Sequence, residues 1–133
     1  MGLRVFLVDD LHSMHSLMRD LFAAVGGVEL MATASSEGEA RLWVEDHAGE
    51  WDVAVLDLVL QQGSGMGVIG PCREHHPTGQ IAIFSGYVTP VIRQHCLRLG
   101  ADAVFGKDET AQFVTWLHGL AHPGPASKGP AAD

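Results

Sequence analysis

Apolar residues arrive along this chain in five short bursts: LRVFLV (3–8), VELMATA (28–34), DVAVLDL (52–58), QIAIFS (80–85) and DAVFG (102–106). Apolar runs of four or more, bounded by Gly, Asp or Ser, read as strands covered on both faces, hence a parallel sheet. VELMATA alternates more than the others and suits an edge strand. The segments between the bursts have helical length. From Leu11 to Val25, the residues Leu11, Met14, Met18, Leu21, Phe22 and Val25 form one stripe, which Gly26-Gly27 ends. Ser36 followed by Glu39 fits a capping box, with Ala40, Trp43, Val44 and His47 on one face beyond it. A helix over 89–99 carries Pro90 in its first turn and stops at Gly100, and Phe113, Trp116, Leu117 and Leu120 line a last helix over 109–120.

The weakest helical pattern is GSGMGVIGPCREHH (63–76), with four glycines and Pro71. Proline inside a helix removes a hydrogen bond and crowds the preceding turn, so a short, bent or late-starting helix is expected there. Strand and helix thus alternate five times, which predicts a parallel sheet with helices on both faces and right-handed crossovers. The stretch AHPGPASKGPAAD holds three of the six prolines and no apolar period. It reads as a disordered tail over 122–133, behind one folded domain over 1–121.

Composition narrows the class. The 133 residues suffice for one domain, and 47% hydrophobic with 18% charged is ordinary for a globular chain. A net charge of −8 supplies no basic footprint for nucleic acid or anionic membrane. Cys72 and Cys96 are too few and too far apart for a metal knuckle or a disulfide scaffold, and read as buried free thiols. No run approaches the ~20 apolar residues of a membrane span, and the N-terminus lacks the pattern of a signal peptide. A soluble, cytoplasmic protein is expected.

In open α/β sheets, ligands bind beyond the carboxyl ends of the strands where strand order reverses. The residues ending the strands are Asp9 and Asp10 after the first, Asp57 after the third, Ser85 after the fourth and Lys107 after the fifth. Singly, each has a bland explanation as a turn, cap or surface residue. Asp57 differs, because it interrupts VAVLDLVL with no cation nearby in sequence, and a carboxylate there is costly unless something pairs with it. Asp9, Asp10 and Asp57 read as a hard-oxygen cluster suited to Mg²⁺, and no Cys or His joins them to favour Zn²⁺. A carboxylate beside Mg²⁺ can attack phosphorus, with Lys107 and the Ser85 hydroxyl as donors to the phosphoryl oxygens. His12, two residues past the acid pair, reads as solvent-facing, and His75-His76 before Pro77 as a helix end.

At LVDD, VLDLVL, IFSGY and GADAVFGKDE, in this order and spacing, the sequence resembles the receiver domain of two-component response regulators over about residues 3–121. The resemblance implies a doubly wound, flavodoxin-like (βα)5 fold with strand order 2-1-3-4-5. It implies that Asp57 is the phosphoacceptor, served by a sensor histidine kinase or a histidine phosphotransfer protein, and that the signal passes to a downstream protein by contact, with no output domain and no enzymatic activity beyond its own phosphorylation and dephosphorylation. Asp10 would ligate Mg²⁺ directly, Asp9 mainly through water, with Asp57 and the Val59 backbone carbonyl completing the protein ligands. Ser85 and Lys107 would bind the phosphoryl oxygens. Many receivers carry an aromatic switch residue three positions before the lysine, where this chain has Val104. Its aromatic is Phe105, which strand alternation puts on the opposite face. Tyr87 is expected to cover the site instead, and Val59 and Tyr87 to shield an acyl phosphate from water. Two rival readings stand beside this one: a small Mg²⁺-dependent phosphatase with an aspartyl nucleophile, and a receiver-like scaffold that is not phosphorylated.

Overall fold

The computed structural model describes residues 2–124. Of the sequence-predicted tail, residues 125–133 lie outside the described residues. The chain order is β1 (Leu3–Val8), α1 (His12–Val25), β2 (Val28–Ala34), α2 (Glu37–Asp46), β3 (Val53–Leu56), α3 (Met66–His75), β4 (Gln80–Ser85), α4 (Pro90–Leu99), β5 (Ala103–Gly106) and α5 (Thr110–Ala121). All pairings are parallel and the sheet order is β2-β1-β3-β4-β5, the doubly wound order expected. VELMATA is indeed an edge strand, and its pairing with β1 shifts register between Val5 and Phe6. No helix among the described residues is long and apolar enough to cross a membrane.

The sheet separates two apolar layers. Alternate residues of the strands, among them Phe6, Val8, Leu56, Ile81, Ile83 and Val104, meet Val44 of α2, Val68 and Ile69 of α3 and Cys96 of α4. The other face, including Val5, Leu7, Val55 and Phe84, meets Met18 and Phe22 of α1 and Phe113 and Leu117 of α5. Each fully buried aliphatic or aromatic side chain contributes ~1.5–3 kcal/mol. This two-sided burial explains why β1, β3 and β4 read as continuous apolar runs. Cys72 and Cys96 are free and buried, and burial pushes the Cys72 thiol up to about 12.

The local signals act as expected, with two additions. Ser36 caps α2 by accepting from the Glu39 N–H at 3.1 Å, and Thr89 caps α4 by accepting from the Ile92 N–H at 3.2 Å. The Glu39 carboxylate returns to the Ser35 N–H at 2.8 Å, one residue before the usual capping-box target. Helix α3 starts late, at Met66, and runs through Pro71. Proline 71 cannot donate to the Gly67 carbonyl, and the guanidinium of Arg41 on α2 donates to that oxygen at 2.9 Å. The polar group orphaned by proline is thereby satisfied from the neighbouring helix.

Candidate functional site

Four strands deliver the site. Val8 of β1 is in register with Leu56 of β3, so Asp9 and Asp57 leave adjacent strands side by side. Ser85 of β4 is in register with Gly106 of β5, and the following Lys107 N–H donates to the Ser85 carbonyl at 2.9 Å. β3 ends at Leu56, shorter than the apolar run suggests. The Asp57 N–H still donates to Val8 O at 2.9 Å, but its carbonyl turns to accept from the Gly65 N–H at 2.9 Å. Asp57 therefore stands where sheet becomes loop.

The positive charge that the paired acids require comes from Lys107. Its ammonium donates to Asp9 Oδ2 at 3.2 Å and to Asp57 Oδ2 at 3.1 Å. Asp9 and Asp57 are only 1% and 5% exposed. The remaining oxygens are also held: Asp9 Oδ1 accepts from the Leu11 N–H at 2.9 Å and Asp57 Oδ1 from the Val59 N–H at 3.2 Å. Burial pushes the Asp9 carboxyl above the usual carboxylate range; the Leu11 N–H and Lys107 pull it down, and the Asp57 charge pushes it further up. Burial also opposes the charge on Lys107, but Asp57 and Asp9 outweigh it and hold the ammonium above the ordinary lysine range.

Asp10 and Asp57 line an open cavity of about 590 Å³ together with Val59, Gln61, Tyr87 and Lys107. Asp10 Oδ2 accepts from the Gln61 N–H at 2.8 Å. Asp9 and Ser85 are buried and do not contribute to the cavity lining. The Ser85 hydroxyl accepts from the Tyr87 N–H at 3.4 Å. Val59 and Tyr87 are 56% and 68% exposed, so they form the rim of the opening, and Tyr87 does not close over it. Val104 is buried toward α4, where its carbonyl accepts from Arg93. Phe105 packs on the opposite face against Phe113 and Trp116, as strand alternation requires.

Lys107 stands between Asp9 and Asp57, and Asp10 lies on the cavity side of the pair. The donor chemistry fits Mg²⁺. Asp10 and Asp57 both reach the cavity, and Mg²⁺ takes one or two carboxylates and keeps several waters. Three carboxylates against one ammonium also leave the site with two excess negative charges, which a divalent cation would neutralise.

Sequence reasoning missed three participants. Gln61 carries no motif signal for its backbone donation to Asp10. Gly65 is legible only in three dimensions: a Cβ there would lie 2.3 Å from the Asp57 carbonyl oxygen. His15 is buried, and its Nε2–H donates to the Asp9 carbonyl at 2.7 Å. The available signal was its place three residues before Met18 and seven before Phe22, on the inward stripe of α1. His12 is exposed, and His75 and His76 end α3, as read from sequence.

Comparison with known proteins agrees with this arrangement. The chain is 27% identical over 132 residues to the photosynthetic apparatus regulatory protein RegA of Rhodobacter capsulatus, covering 97% of this chain and 70% of that one. Its fold matches the CheX-CheY-BeF3-Mg+2 complex of Borrelia burgdorferi, with a TM-score of 0.79 at 19% identity over 89% of this chain and 87% of that chain. It also matches a Burkholderia pseudomallei response regulator protein with a phosphorylated aspartic acid, calcium ion and citrate, with a TM-score of 0.74 at 19% identity over 98% of this chain and 75% of that one. The family model of the response regulator receiver domain matches residues 5–115, and the chain belongs to that family of two-component signalling receivers.

Proposed function

We propose that Asp57 accepts a phosphoryl group and that the phosphorylated domain signals through protein contacts. The observation that carries this reading is the position of Asp57: a carboxylate 5% exposed that nevertheless lines an open cavity, 3.1 Å from the Lys107 ammonium. This carboxylate has exchanged water for an ammonium and a peptide N–H, and the ammonium is placed to meet charge on an incoming phosphoryl group.

The donor is a phosphohistidine of a sensor histidine kinase or a histidine phosphotransfer protein. An Asp57 oxygen attacks phosphorus, the P–N bond breaks, and its electron pair returns to the imidazole nitrogen, which takes a proton from solvent. The product is an acyl phosphate. Charge on the phosphoryl oxygens is met by Lys107, which exchanges a carboxylate oxygen for a phosphoryl oxygen, and by the Ser85 hydroxyl at the end of β4. Asp10, Asp57 and the Val59 carbonyl would hold Mg²⁺, with Asp9 acting through water; the ion would neutralise excess acidic charge and polarise the phosphoryl group. Reactivity is confined to the domain's own phosphorylation and loss of phosphate. Val59 and Tyr87, at the rim, set how readily water reaches the acyl phosphate.

The test uses acetyl phosphate as donor. Intact-mass measurement is expected to find one added phosphoryl group in the presence of Mg²⁺ and none after EDTA or in Asp57→Asn. Continuous, multiple-turnover release of phosphate from an organic monophosphate would support the phosphatase reading instead. Substitutions Val59→Asn and Tyr87→Ala are expected to change the rate of phosphate loss, and unchanged rates would remove the proposed shielding.

A further inference from the structure

Four polar or charged side chains are buried among the described residues: Asp9, His15, Asp57 and Ser85. Three end strands at the site. The fourth, His15, sits on the inward face of α1, level with Met18 and Phe22, where an apolar residue would pack with less loss of hydration. Its Nε2 lies 2.7 Å from the Asp9 carbonyl oxygen. A carbonyl only accepts, so Nε2 carries the proton.

That carbonyl belongs to the peptide joining Asp9 to Asp10. The peptide unit is planar, so anchoring its oxygen restricts where the Asp10 Cα is placed. The β1 ladder cannot supply this anchor, because β1 ends at Val8 and the last ladder-like bond in this stretch is the Asp9 N–H to Ala34 O at 3.0 Å. With the Leu11 N–H on Asp9 Oδ1 and Lys107 on Asp9 Oδ2, the acid pair is fixed from its backbone as well as from its side chains.

We infer that His15 is a positioning residue for the Mg²⁺ site: it holds the Asp9–Asp10 peptide through a buried Nε2–H bond and thereby sets the placement of the Asp10 carboxylate. The inference rests on the reading of the acids as a Mg²⁺ site and adds a residue outside the carboxylate, hydroxyl and lysine set. It predicts that the donor, more than the aromatic ring, is what matters. Glutamine can present an amide N–H near the position of Nε2; methionine fills similar space with no donor.

The experiment is calorimetric titration of the purified protein with MgCl₂, alongside thermal melts of the same samples. His15→Met is expected to weaken Mg²⁺ binding by about tenfold or more, the usual effect of removing a partner that orients a metal ligand. His15→Gln is expected to stay close to the unsubstituted protein. A merely structural histidine would lower the melting temperature in His15→Met and leave Mg²⁺ affinity of the folded protein unchanged, and that result overturns the inference. Equal loss in His15→Gln and His15→Met also overturns it, because the donor would then not be the operative feature. Should His15→Met fail to fold, His15→Leu, which also lacks a donor, is read in its place by the same criterion. Absence of Mg²⁺ binding in the unsubstituted protein would strike the metal reading itself, and is distinguished from failure of the inference by that control.

Discussion

Replacement of Lys107 by methionine removes the ammonium and keeps most of the side-chain volume. The ammonium lies 3.2 Å from Asp9 and 3.1 Å from Asp57, and those two carboxylates are almost wholly buried. At an effective dielectric of ~20, a unit pair at this separation is worth about 5 kcal/mol, so the two contacts total about 10 kcal/mol before desolvation is counted. Most of that is offset by desolvation, and in Lys107→Met one carboxylate can take up a proton rather than face the other charged. Lys107 also retains 23% side-chain exposure, which weakens its attraction through solvent screening. Breaking buried pairs costs about 3–5 kcal/mol, and partial exposure places this case near the lower end, about 3 kcal/mol. For a domain of this size that corresponds to a melting temperature lower by roughly 10 °C. The assay is urea denaturation at neutral pH in EDTA, with thermal melts in parallel. The deficit is expected to shrink on acidification, as one carboxylate protonates, and to shrink in Lys107→Met/Asp57→Asn, which removes the like-charge contact. A loss below about 1 kcal/mol, or no recovery in the double variant, would refute Lys107 as the counterion of the acid pair.

Asp9→Asn is expected to stabilise the metal-free protein at neutral pH. Burial raises the Asp9 carboxyl in the folded state, so its contribution is fully present below the unfolded-state value and is lost as pH rises through the folded one; the neutral amide should remove this pH dependence, as read by melting temperature against pH in EDTA. Arg73→Ala is expected to cost about 2–3 kcal/mol in urea denaturation, because one guanidinium donates to the Pro77, Gly79 and Gly100 carbonyls and to Asp102 Oδ2. Arg73→Lys should recover little of it, since an ammonium lacks the planar fork that reaches these acceptors together. Gly65→Ala would place a Cβ 2.3 Å from the Asp57 carbonyl oxygen and is expected to cost about 1–3 kcal/mol while slowing acetyl phosphate labelling; an unaffected labelling rate would show that the loop can yield without moving Asp57.

The strands and helices were largely legible because a parallel sheet buried on both faces forces apolar runs, and caps and glycines punctuate the helices between them. β3 was over-read by the apolar run around Asp57, where Leu58 and Leu60 are buried without belonging to the strand. Pro71 was correctly read as a disturbance of α3, but its remedy, Arg41 on another helix, is a long-range contact that no local pattern encodes. The site shows the same division. Residues that end strands were found from their positions alone. What pairs with what was not: Lys107 was read only as a donor to phosphoryl oxygens, whereas its ammonium, 98 residues from Asp9, also stands between Asp9 and Asp57. His15 escaped because a single buried histidine on a helical stripe looks like any amphipathic position until its partner is known.

The central claim is that the carboxylate of Asp57 becomes an acyl phosphate. It is tested most directly by labelling the protein with acetyl phosphate and Mg²⁺, reducing it with borohydride, which converts an aspartyl phosphate to homoserine, and sequencing the peptides by mass spectrometry. The account predicts homoserine at residue 57 and at no other aspartate. Conversion at Asp9, Asp10 or another position with residue 57 unchanged, or no conversion in folded protein that binds Mg²⁺, would contradict it.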